Sequence, residues 1–196
     1  MDPDTSVTFL VRSVTRHRHH DCATQSRNAG HTLVLVFRLT SDVDPAFLAR
    51  MLAVAVSWDP DRPRTSVDAL RSDPVLVRYI EGWGRAGDDG LVALALDDVA
   101  AGAVWIRQFS PDAPGYGFVD ADTPELSIAV DRDHRGRGAG SLLLAGILGR
   151  ARARGVRRIS LSVERENAAR SLYERFGFVK VDERDDAWTM VNELGG

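Results

Sequence analysis

Cysteine is nearly absent. Cys22 is the only one, so no intramolecular disulfide can form and an oxidising compartment is not required. Long apolar runs are missing too, none approaching the roughly 20 residues that a membrane helix needs. The N-terminus places Asp2 and Asp4 ahead of its basic residues and lacks a signal-peptide apolar core, so secretion is not expected. A strong charge of one sign is also lacking. The net charge of -3 gives no reason to expect nucleic acid or an anionic membrane as the main partner. These absences make a cytoplasmic protein the expectation. What is present is ordinary for a globular domain, with 44% hydrophobic and 27% charged residues. A length of 196 residues fills one domain well and two only poorly.

The first 30 residues differ from the rest and read as a poorly ordered or atypical N-terminal extension, spanning 1–30 ahead of a domain at 31–196. The only apolar cluster there, Val7 to Val14, is broken by Thr8, Arg12 and Ser13, and no helical or strand period persists. The run Arg16-His17-Arg18-His19-His20, with Cys22 near it, invites a metal reading. Ligands packed side by side on a polar tail usually bind adventitiously, so no metal site is expected. A start codon placed too far upstream would also account for this stretch.

From His31 the pattern becomes regular. Leu33 to Leu39 predicts a strand, and Asp42 to Asp44 with Pro45 starts a helix whose apolar positions are Phe47, Leu48, Met51, Leu52 and Ala55. A second helix is predicted from Val75 to about Gly82. Strands follow at Leu91–Leu96 and Ala103–Phe109, then a long loop from Ser110 to Thr123, then a strand at Glu125–Val130 with two distinct faces. A helix over about Gly140–Arg154 carries Leu143, Leu144, Ile147, Leu148 and Ala151 on one face. Ile159 to Val163 predicts a strand, Asn167–Phe176 a short helix ended by Gly177, and Val179–Val181 with Trp188–Val191 a hairpin. The class is mixed α/β.

Strand, basic glycine-rich loop, amphipathic helix is an arrangement that binds phosphate. The first N–H groups of a helix have no internal partner, and the helix dipole favours an anion beside them. Glycines at 136, 138 and 140 remove Cβ atoms that would hold a phosphate away, and Arg135 and Arg137 add mobile positive charge. The same glycines could instead serve only as a tight turn under a helix. Two familiar motifs are excluded. A P-loop needs a lysine before its hydroxyl, and Gly140-Ser141 has none. A dinucleotide fingerprint needs G-x-G-x-x-G directly after the strand, whereas this pattern is G-x-G-x-G and begins after Asp131 to Arg135.

Arg135-Gly136-Arg137-Gly138-Ala139-Gly140 resembles the R/Q-x-x-G-x-G/A signature of the GNAT acyltransferase superfamily. Glu125-Leu126-Ser127-Ile128-Ala129-Val130 is similar to the strand before that loop, and the segment from Asn167 to Phe178 to the family's second cofactor-contacting segment. The likeness spans about Leu33 to Val191. It implies a GNAT fold: a mixed central sheet of six to seven strands, flanking helices and a splayed central strand pair. It implies acetyl-CoA as cosubstrate, without metal. The pantetheine arm would lie in the opening, hydrogen-bonded by the backbone of Ile128, Ala129 and Val130. Arg135, Gly136, Arg137, Gly138, Ala139, Gly140 and Ser141 would hold the pyrophosphate. Asn167 would contact the arm from the other side, and Tyr173 would place its hydroxyl near the thioester sulfur.

The chemistry gives these residue types reasons. An amine attacks a thioester only when neutral, and a lysine-like amine has a pKa of about 10.4, so neutralising it at pH 7 costs roughly 4–5 kcal/mol. A base helps, and Glu125, on the same strand face as Ser127, is the candidate base or substrate anchor. It could equally be a solvated strand-end carboxylate or an anchor for a backbone N–H. Tyr173 could protonate the leaving thiolate, or could simply be a helix-face aromatic packed on the sheet. The resemblance implies direct acetyl transfer to a primary amine, on a small molecule or a protein. Trp58, Asp59, Trp83, Arg85, Tyr116, Phe118, Asp120 and the acidic turn Asp182–Asp186 are candidates for the acceptor site. The rival readings are a non-catalytic acyl-CoA-binding sensor or scaffold of the same fold, and a nucleic-acid module resting on the basic run Arg150–Arg158. A homodimer stays open.

Overall fold

The computed structural model describes residues 38–96 and 98–195. The extension over 1–30, with its histidine cluster and Cys22, lies outside the described residues, as does most of the strand predicted at Leu33–Leu39. Within them, no helix is long and apolar enough to cross a membrane.

Strand β1 (Arg38–Thr40) leads into helix α1 (Pro45–Val56). Asp44 starts that helix by accepting from Ala46 N at 3.1 Å and Phe47 N at 3.0 Å, with Pro45 preset for the first turn. The apolar spacing buries Phe47, Leu48, Met51 and Leu52. The predicted second helix is corrected. The helix is α2, Val67–Ser72, and the predicted segment forms only a 3-10 turn, Leu76–Tyr79. Helix α2 is short and buries only Leu70, so its sequence shows no period. It starts on Ser66 Oγ, which accepts from Ala69 N at 3.1 Å. Asp73 likewise opens the 3-10 turn, accepting from Val75 N and Leu76 N at 2.8 and 2.9 Å.

The remaining elements are β2 (Asp89–Leu94), β3 (Ala100–Arg107), β4 (Glu125–Val130), α3 (Ala139–Ala153), β5 (Arg158–Glu164), α4 (Arg170–Arg175), β6 (Val179–Arg184) and β7 (Ala187–Glu193). Strands β2 and β3 both begin earlier than predicted, in the register Asp89↔Ile106 to Leu94↔Ala100. One seven-stranded sheet results, in the order β1-β2-β3-β4-β5-β7-β6. On one face α3 packs Leu142, Leu143 and Ile147 over Val104, Ile106, Leu126 and Leu161. On the other, α1 covers Val92, Ala103, Trp105 and Ala129. Each face of β4 is therefore buried under a helix.

One junction breaks the regularity. β4 pairs with β3 along its whole length, from Arg107↔Glu125 to Gly102↔Val130. With β5, its parallel neighbour, it pairs only at Glu125↔Ser160. Past that point the two strands diverge, which is the expected splayed pair in a mixed sheet flanked by helices.

Candidate active site

A cavity of about 720 Å³ fills the opening between β4 and β5. Its walls come from both faces of the sheet. Leu52, Ala55 and Val56 of α1, Tyr79 and Glu125 lie on one side, and Asn167 and Tyr173 on the other. The splay therefore joins two surfaces that a continuous sheet would keep apart.

Glu125 sits at the root of the opening, 2% exposed. Its Oε1 accepts from the Tyr79 hydroxyl at 2.6 Å and from Gly117 N at 2.8 Å, while Oε2 is buried and, among the described residues, has no hydrogen-bond partner. Burial pushes the carboxyl up to about 7, against the opposing pull of the Tyr79 and Gly117 hydrogen bonds. The reading as a solvated strand-end carboxylate is thus overturned, because the loop Ser110–Thr123 covers it. The anchoring of a backbone N–H is present, on Gly117. Glycine is needed along this cover: a Cβ at Gly115 would lie 2.3 Å from Glu125 Oε2, and one at Gly117 2.5 Å from the Leu161 backbone.

Tyr173 lines the same cavity from α4, with its ring edge-on to Phe178 at 6.0 Å. Burial raises its hydroxyl well above the usual tyrosine value, so it stays protonated at neutral pH. Asn167 also lines the cavity, and its Oδ1 accepts from Ala169 N at 2.9 Å, shaping the turn into α4.

Alternation along β4 assigns the backbone groups. Ser160 N donates to Pro124 O, so Leu126, Ile128 and Val130 turn their N–H and C=O groups toward β5 and the opening. Ala129 is a correction: its groups turn to β3, where its carbonyl oxygen would lie 2.5 Å from a Cβ at Gly102. Beyond the strand, Gly136 and Gly138 adopt φ of 72° and 92°, which disfavours any side chain there. Gly138 caps α3 with no side-chain hydrogen bond, which leaves the first-turn N–H groups of Ala139, Gly140 and Ser141 without a capping acceptor. Arg137 is exposed. Arg135 is less mobile than expected, because its Nε donates to Val130 O at 3.0 Å. At Gly140 a Cβ would meet Leu172 Cδ2 at 3.4 Å, an ordinary contact, so packing does not demand glycine there.

The acceptor candidates divide. Trp58, Tyr116, Asp185 and Asp186 line the cavity. Asp59 pairs with Arg62 at 3.2 Å, Trp83 lies under Arg107, Arg85 donates to Glu81 O, Asp120 pairs with Arg158, and Phe118 packs against the core on the α1 side of the sheet. Asp182 bonds Arg184 at 3.2 Å on the outer strand. Within the basic run, Arg150 and Arg154 both bind Asp89, at 2.8 and 3.0 Å. Sequence reasoning missed Tyr79, Arg78 and Arg62 as cavity residues. Tyr79 is 46 positions from Glu125, and no local pattern marks their contact. Among the described residues, no group of three or more His, Cys, Asp or Glu side chains is placed to hold a metal.

A family model described as Acetyltransferase (GNAT) family matches residues 54–178, more than half of the chain. The mycothiol acetyltransferase of Beutenbergia cavernae is 50% identical over 147 residues, 72% of this chain and 43% of that protein. That of Brachybacterium faecium is 35% identical over 135 residues, 68% of this chain and 38% of that protein. The chain thus spans less than half the length of these relatives. Among solved structures, the PaiA N-acetyltransferase of Thermoplasma acidophilum in complex with coenzyme A superposes with a TM-score of 0.61 at 16% identity, over 80% of this chain and 98% of that one. An N-acetyltransferase of Staphylococcus aureus Mu50 gives 0.59 at 18% identity, over 81% and 99%. At such identities these two structures speak to the fold alone.

Proposed function

Because the chain belongs to the acetyltransferase (GNAT) family, we propose that it transfers an acetyl group from acetyl-CoA to a primary amine on a small molecule, with Glu125 as general base. The observation that carries this is Glu125, which lines the cavity between β4 and β5 and whose buried Oε2 has no hydrogen-bond partner among the described residues. The free N–H groups at the start of α3 and the outward backbone of Ile128 and Val130 fit a pyrophosphate and an amide-bearing arm. Bound there, acetyl-CoA would supply the activated acyl carbon. Arg135, Gly136, Arg137, Gly138, Ala139, Gly140 and Ser141 would hold its pyrophosphate, and Asn167 would flank the arm.

Glu125 Oε2 takes the proton of the incoming amine. A carboxyl that titrates near 7 is half ionised at neutral pH, which suits a general base. Tyr173 donates a hydrogen bond to the departing sulfur. Its raised pKa makes complete proton transfer to a thiolate, whose acid has a pKa of about 8.5, unfavourable. The tyrosine thus stabilises the thiolate without giving up its proton. The names of the relatives make mycothiol-related amines the first acceptors to screen. The test is amine-dependent release of CoA thiol across a panel of small amines. Turnover supports transfer, whereas tight acetyl-CoA binding with no turnover on any amine favours a non-catalytic acyl-CoA sensor.

A further inference from the structure

We propose that Tyr79 is a positioning residue: its hydroxyl fixes the Glu125 carboxylate so that Oε1 is fully engaged and Oε2 alone faces the reacting amine, and it clasps the covering loop in the same act. The inference rests on the reading of Glu125 as the base.

The geometry is a closed set of hydrogen bonds around one carboxylate. The Tyr79 hydroxyl donates to Glu125 Oε1 at 2.6 Å and accepts from Tyr116 N at 2.7 Å. Gly117 N donates to the same Oε1 at 2.8 Å. Two donors on one oxygen leave the carboxylate a single direction for its remaining lone pairs, and Oε2 has no partner to compete with an amine. A carboxylate without this clamp would rotate about its last torsion, which is soft and two-fold.

Tyr79 is itself held on both sides. Trp105 Nε1 donates to its carbonyl oxygen at 3.1 Å, and Arg107 Nη1 donates to the neighbouring Arg78 O at 2.8 Å. Arg107 is 1% exposed and cannot turn to Glu125, its cross-strand partner, because Asp88 binds it at 2.8 Å. The Tyr79 ring packs edge-on to Phe109 at 4.9 Å and parallel to Tyr116 at 6.4 Å. The other charged or titratable groups lining the cavity are Arg62 and Arg78, Tyr116 on the loop, Glu164 on β5, Tyr173 on α4, and Arg184, Asp185 and Asp186 at the β6–β7 turn. Helix α1 presents only apolar Leu52, Ala55 and Val56 there. Among the described residues, no side chain other than Tyr79 hydrogen-bonds the Glu125 carboxylate.

The test compares wild type with Tyr79→Phe by carbon NMR titration of the Glu125 carboxyl, which needs no acceptor. In wild type the carboxyl is expected to titrate near 7. Loss of a hydrogen bond to the charged form is expected to raise that midpoint by about one unit. In amine-dependent turnover, the acidic limb moves up with it, so kcat falls roughly fivefold at pH 7 and recovers toward wild type at pH 9, with KM for acetyl-CoA unchanged. In a Glu125→Gln background, Tyr79→Phe has no further effect on kcat. An unmoved Glu125 midpoint, or a kcat lowered equally at every pH, overturns the positioning role. A moved midpoint in a protein that turns over no amine upholds the clamp and sinks the catalytic reading instead. If Tyr79→Phe does not fold, the wild-type Tyr79 hydroxyl proton must still shift in step with the Glu125 titration, and a signal flat across that range overturns the proposal.

Discussion

Replacing Glu125 with Gln should stabilise the fold at alkaline pH while removing the proposed base. Burial raises the carboxyl from 4.5 to about 7, so the folded state holds a proton that the unfolded chain has already released. Between those two values the folded protein binds more protons, and stability falls as pH rises. The penalty is nearly absent below 4.5 and complete above 7. Integrating the linkage between pH 5 and pH 8 gives a loss of about 2.5 kcal/mol. Gln presents the same acceptor to Tyr79 and Gly117 but never ionises. Its amide nitrogen would lie where Oε2 has no partner, at a cost of about 1–3 kcal/mol that does not vary with pH. That cost cancels when the difference between the two proteins is itself compared across pH. Urea unfolding of both at pH 5 and pH 8 is the assay. The variant should gain about 2.5 kcal/mol on wild type over that interval, with turnover lowered roughly 10²–10⁴-fold. A difference between the proteins that does not change with pH would refute the buried, uncompensated carboxylate on which the mechanism depends.

Two further substitutions separate binding from folding. Ser141→Asp puts a carboxylate in the first turn of α3, where it suits the helix dipole and opposes a pyrophosphate. Calorimetry should show acetyl-CoA affinity at least about tenfold weaker, with the unfolding temperature unchanged or slightly raised. Gly117→Ala would bring its Cβ to 2.5 Å from the Leu161 carbonyl carbon, a clash with backbone that no rotamer relieves. A loss of about 1–3 kcal/mol in urea unfolding is expected, together with reduced turnover as the Gly117–Glu125 bond is lost.

Much of the fold can be read from local pattern. Helix α1 declares itself through Asp44-Pro45 and its apolar spacing, and α3 through the leucines and Ile147 behind a glycine-rich start. The glycine-rich loop is legible for the same reason: left-handed turns at Gly136 and Gly138 and an uncapped helix start are consequences of a few adjacent residues. Pairing is less local. Nothing in β7 says that it enters the sheet between β5 and β6, because antiparallel ladders on both sides accept the same alternating pattern. The environment of Glu125 was least accessible. Its burial depends on a loop rich in glycine and proline folding back over it, and on Tyr79 arriving from a turn whose sequence suggests a longer helix. Arg107 shows the same limit, since an arginine in a strand gives no sign that backbone carbonyls of another segment will surround it.

The most direct test of the central claim is a crystal structure with coenzyme A bound. The pantetheine arm should run between β4 and β5, hydrogen-bonded to Val130 and Ile128, with the pyrophosphate on the N–H groups of Ala139 to Ser141. Coenzyme A bound instead in the arginine-lined opening around Arg154, Arg157 and Arg158, with the β4–β5 cavity unchanged, would contradict the account.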